Sequence, residues 1–113
     1  MPTSYKTLGQ VSPAATTYTD LYQVPAGATQ AIISSVTVAN CTASARTYRL
    51  GVTASATAAS AIALNEFVAF DVSVAANDTV ALTLGLTMHD RKKLIGFASG
   101  ASVVFGVFGS EVT

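Results

Sequence analysis

The sequence predicts an all-β domain, about eight strands in an antiparallel β-sandwich, and three observations predict it. Apolar and polar residues alternate with period two in segment after segment, and the alternating positions are rich in Val, Ile, Thr and Tyr, the mark of half-buried strands. Turn residues fall between these segments: Pro25-Ala26-Gly27, Asn77-Asp78 and Gly100-Ala101. Hydrophobic residues make up 50% of the 113 and charged residues only 11%, which excludes a disordered chain. Jelly-roll and immunoglobulin-like topologies both satisfy this pattern, within a single domain over 1–113.

The elements follow in order. A short strand is expected over 4–8. Residues 17–24 carry Tyr18, Leu21, Tyr22 and Val24 and stop at Pro25, whose ring presets φ for a turn. Residues 31–40 read as a central strand, with Ile32, Ser34, Val36 and Val38 on one face and Ile33, Ser35, Thr37 and Ala39 opposite. Residues 46–53 alternate better still, Tyr48, Leu50 and Val52 against Thr47, Arg49, Gly51 and Thr53, and the polar face is expected to meet water or a partner.

The stretch 54–63 is almost entirely Ala, Ser and Thr, too small in side chain to anchor a core, and reads as a flexible loop. Residues 66–74 place Val68, Phe70, Val72 and Val74 on one side; residues 79–87 do the same with Val80, Leu82, Leu84 and Leu86, and the two are expected to pair as a hairpin. His89-Asp90-Arg91-Lys92-Lys93 breaks the pattern as an exposed turn. Residues 94–99, with Ile95 and Phe97 on one face, and 102–108, with Val103, Phe105 and Val107, are expected to form a closing hairpin.

Six basic residues cancel six acidic ones, so no net field draws in nucleic acid or an anionic membrane, and neither is an expected partner. The 16 uncharged residues 94–109 contain four glycines and fall short of the roughly 20 a membrane helix needs. The first thirty residues lack a signal-peptide core, so secretion is not expected. Solubility must rest on a coat of hydroxyls, which 11 Ser and 15 Thr supply, and on burial of surface against other subunits.

The inventory of chemistry is short, and the expectation is no enzyme, no cofactor and no metal. Cys41 is the single cysteine; it has no disulfide partner and no basic neighbour in sequence, and reads as a small buried thiol at a strand end. His89, the only histidine, sits in the charged turn and reads as solvated. Asp20, Glu66, Asp71, Asp78, Asp90 and Glu111 fall in no ligand spacing, and no phosphate-binding glycine loop is present. Catalysis would require His89, Asp90 and Cys41 to converge. Tyr5, Tyr18, Tyr22 and Tyr48 offer the alternative of a sugar-stacking platform on a binding module, weighed against ordinary packing at strand edges.

Protein contact is the remaining role, and its candidates are Tyr5, Lys6, Arg46, Arg49, Arg91, Lys92 and Lys93. Residues 2–10 and 109–113 read either as arms reaching a neighbouring subunit or as edge strands.

Several segments carry a resemblance. Leu21-Tyr22-Gln23-Val24-Pro25-Ala26-Gly27, the run from Ala75-Ala76-Asn77-Asp78 through Thr79-Val80-Ala81-Leu82-Thr83-Leu84-Gly85-Leu86, and Phe108-Gly109-Ser110-Glu111-Val112-Thr113 are similar to small virion proteins of tailed bacteriophages, cyanophages among them. Ser4-Tyr5-Lys6-Thr7-Leu8-Gly9-Gln10 and Thr47-Tyr48-Arg49 add to it. The resemblance implies a capsid decoration or cement protein, made in the bacterial cytoplasm and carried on the capsid surface, with the major capsid protein and its own copies in a homotrimer as partners. A neck, tail or fibre position is the alternative. The resemblance implies no catalytic or ligand-binding residue.

Overall fold

The computed structural model describes residues 3–25, 30–54, 58–89 and 91–112. They form eight strands: β1 Thr3–Val11, β2 Thr19–Gln23, β3 Gln30–Asn40, β4 Arg46–Thr53, β5 Phe67–Val74, β6 Thr79–His89, β7 Lys93–Ala98 and β8 Val103–Val112. Two 3₁₀ turns, Ala59–Ala61 and Leu64–Glu66, lie between β4 and β5.

The strands make two four-stranded antiparallel sheets, sheet I in the order β1-β8-β3-β6 and sheet II in the order β2-β7-β4-β5. Every connection except β4 to β5 changes sheet, so the chain winds as a jelly roll, which decides between the two topologies compatible with the sequence. β3 is central, as its apolar pattern predicts.

Both expected hairpins are corrected. β5 pairs with β4 and β6 with β3, while β7 pairs with β2 and β4 and β8 with β1 and β3. A four-residue connection fits a hairpin and a corner equally well, so loop length alone does not choose. Crossing to the other layer lets two consecutive apolar stripes face each other across the core, and left-handed residues make the corners: Asn77 at φ 55° and Ser102 at φ 63°.

The core lies between the sheets. Sheet I contributes Ala31, Ile33, Val36, Val38, Met88, Val103, Phe105 and Val107, and sheet II contributes Leu21, Tyr22, Tyr48, Leu50, Val74, Leu94 and Ala98. Tyr48 and Phe105 meet edge to face across the layers, with ring centroids 6.2 Å apart.

Two alternation patterns read from the sequence are broken by bulges. In β3 the register slips between Ile33 and Ser35 against both neighbours, so Ile33 is fully buried and Ile32, expected beside Val36, is 38% exposed. In β5, Asp71 adopts φ 52°, and of the four residues expected on one face only Val74 is buried; Val68, Phe70 and Val72 stay exposed.

The stretch 54–63 is corrected in part. Residues 55–57 lie outside the described residues, but the rest is a 3₁₀ turn leading to Ile62, whose Cδ1 occupies the space above Gly51 of β4. The C-terminal residues are not an arm: Gly109 to Val112 continue β8, flanked by β1 and β3, and β1 runs along the sheet edge.

Candidate functional site

The sequence-predicted contact residues are spread over the molecule. Tyr5 and Lys6 lie on edge strand β1, opposite Ser110 and Gly109. Arg46 opens β4 and lays its side chain over Gly100, where a Cβ would stand 2.2 Å from Arg46 Nε, so a larger residue would push the arginine aside. Lys93 is at the opposite end of the β4–β7 ladder, paired with Thr53, and its Nζ is 3.5 Å from Asp20. Arg91, at φ 65°, is exposed in the β6–β7 turn and Lys92 is half-buried beside it; Asp90 lies outside the described residues. The turn is pinned by its backbone: Lys92 N–H donates to His89 O, Val24 N–H to Lys92 O, and the Gln23 amide to Arg91 O.

Arg49 is the candidate around which a site is built, on the outer face of sheet II. Tyr48 and Leu50 point inward, so Arg49 points out. Its Nε donates to Asp71 Oδ1 at 2.6 Å and Nη2 to Asp71 Oδ2 at 3.2 Å, and Nη1 donates to Tyr18 Oη at 2.6 Å. The guanidinium carbon is 4.1 Å from the ring centre of Phe70 and 4.7 Å from that of Phe97. Phe67 meets Phe70 at 5.0 Å between centroids, and Tyr18 meets Phe97 at 4.6 Å.

The β5 bulge makes this possible, because it sends Phe70 and Asp71 toward Arg49 together. Hydrogen bonding from Arg49 holds the Asp71 carboxyl below its usual range, and the same bonds raise Arg49 further. Charge and aromatic surface satisfy each other within one subunit. The outward residue of β4 was legible; Phe67, Phe70 and Asp71 were not, because a bulge has no fixed period.

Of the four tyrosines weighed as a platform, Tyr22 and Tyr48 are buried in the core while Tyr18 joins the aromatic cluster, so the four do not share one surface. Burial, and then the hydrogen bond it donates to Glu111 of β8, push the Tyr22 hydroxyl well above its usual range. Burial alone raises Tyr48. Cys41 is exposed, not buried: Asn40 takes the inward position at the end of β3, and the next residue steps out. His89 pairs with Gln30 at one end of β3 and Cys41 follows Asn40 at the other, so an 11-residue strand, about 33 Å, holds them apart.

The outer face of sheet I is of another kind. β3 and β6 contain no Asp, Glu, Lys or Arg, and β8 contains only Glu111, which is buried. The outward residues of β6, namely Thr79, Ala81, Thr83, Gly85 and Thr87, are all exposed. Beside them lie Ile32, Ser34 and Thr37 of β3, and the Phe108 ring lies against Gly106. The result is a smooth, neutral surface of hydroxyls and small apolar groups.

Among the described residues no group of three or more His, Cys, Asp or Glu is placed to hold a metal ion, and no helix is long and apolar enough to cross a membrane. No protein-family model matches the chain, and no curated protein matches it in sequence.

Proposed function

We propose that the protein is a structural component of a tailed-phage virion, a capsid decoration protein that docks on the outer shell through the exposed face of sheet I. The observation that carries the reading is the neutrality of that face: β3, β6 and β8 present no exposed charge over three adjacent strands. Docking an uncharged surface carries little desolvation cost, and its hydroxyls can exchange water for backbone partners on the shell. The segment resemblance supports the same role. Sheet II then faces away, with Arg49 paired to Asp71 and Lys93 to Asp20. Many modest contacts repeated over a shell hold a multivalent subunit better than any one of them would.

The test is a cryo-electron microscopy map of the virion in which this chain is located and counted. Hundreds of copies on the head with the β3 and β6 face toward the shell support the reading; a handful at the neck or tail overturns it. Placing a charge on that face with Ile32→Lys, an exposed position, is expected to reduce retention on purified heads about tenfold while Tm stays unchanged.

A further inference from the structure

One side of the sandwich is left open by the fold. β6 ends sheet I and β5 ends sheet II, while at the other ends of the two sheets β1 lies against β2. Native sheets guard such edges with lysine, proline or a covering segment. β6 has neither lysine nor proline over its 11 residues, and β5 has one acidic residue, Asp71, already paired with Arg49.

We propose that two copies of the chain join through this side, with β6 pairing antiparallel to β6 of the second copy about a two-fold axis at Gly85. Charge sets the register. Asp78 immediately precedes β6, Arg91 and Lys92 follow it, and among the described residues neither base is in an ion pair. An antiparallel pair brings the acid of each copy to the bases of the other, and the midpoint between 78 and 92 is Gly85.

Gly85 fits that place. A Cβ there would meet nothing within 4 Å and its φ is not left-handed, so neither packing nor backbone conformation inside the subunit calls for glycine. In this register Thr83 of each copy faces Thr87 of the other, a favourable cross-strand pair. The axis is perpendicular to sheet I, so the outward side chains of the two β6 strands stay on one common face. Sheet I becomes one continuous eight-stranded sheet, and its neutral outer face doubles in extent.

The inference goes beyond the docking role and is tested without any virion, on the purified chain by sedimentation velocity. The expected result is a species of twice the chain mass that dissociates on dilution. Thr83→Lys with Thr87→Lys sets lysines against lysines and is expected to raise the dissociation constant about tenfold or more, from two like-charge pairs. Thr83→Lys with Thr87→Glu sets lysine against glutamate only in the antiparallel register about Gly85, and is expected to restore the dimer. Both positions are exposed, and circular dichroism checks that each variant folds. A wild-type monomer at every concentration, a trimer joined through unlike edges, or identical behaviour of the two variants overturns the proposal.

Discussion

The two outer faces of this sandwich are built by opposite means. Sheet II carries Asp20, Arg46, Arg49, Asp71 and Lys93 on its strands, and two ion pairs, Arg49 with Asp71 and Lys93 with Asp20, close within the subunit. Sheet I carries almost no charge and leaves hydroxyls, an edge and small apolar groups open to solvent. A face whose polar groups are already satisfied gains little from a partner, while a neutral face with open hydroxyls loses little on meeting one. The contrast is the ground of the docking face proposed above, in a chain whose composition shows only that charge is scarce.

The largest effect is expected where the two sheets are fastened. Asn40, buried at the end of β3, donates through Nδ2 to Ser44 O at 2.8 Å, Val74 O at 3.2 Å and Ala75 O at 3.1 Å, and accepts through Oδ1 from the backbone and hydroxyl of Thr42. One side chain thus ties the end of sheet I to the β3–β4 loop and to the end of β5. Asn40→Ala removes those bonds, while Ser44 O and Ala75 O keep Thr42 Oγ1 and the Asp78 N–H as donors, so the cost is expected to be about 2 kcal/mol, measurable by urea denaturation. A loss under about 0.5 kcal/mol would show that the sheets are held by apolar packing alone.

Much of this was legible in the sequence. Alternation located all eight strands because the period of two survives in β4, β6 and β8, where Tyr48, Leu50, Val103, Phe105 and Val107 are buried as expected. What failed was non-periodic. Bulges at β3 and β5 turned Ile32 and Phe70 outward, and the pairing of β5 with β4 instead of β6 depends on long-range burial that a four-residue connection does not encode. The Arg49 cluster draws on β4, β5, β7 and the loop before β2, so no local pattern could reveal it.

Acid should separate the two sheets. Hydrogen bonding from Arg49 depresses the folded-state pKa of Asp71 below its unfolded value of about 3.9. A depressed carboxyl contributes stability that is fully present above the unfolded pKa and is lost as pH falls through the folded one. The Tm advantage of wild type over Asp71→Asn is therefore expected to hold at pH 7, shrink below about pH 4 and narrow in high salt, since both side chains are partly exposed. Ile32→Lys, on the other sheet, should show no such trend. Equal pH profiles for wild type and Asp71→Asn would remove the ion pair from the account of sheet II.

The smallest effect is a gain. Thr53 ends β4, is fully buried, and its hydroxyl has no hydrogen-bond partner among the described residues. A buried hydroxyl that makes no bond gives up its water for nothing, whereas a methyl in its place keeps the shape and makes dispersion contacts. Thr53→Val is thus expected to stabilise by about 1 kcal/mol and raise Tm by about 4 °C, read by differential scanning calorimetry. Because Thr53 pairs with Lys93 across the ladder, the substitution lies beside the Lys93–Asp20 ion pair without touching it. A fall in Tm would mean that the hydroxyl is bonded after all.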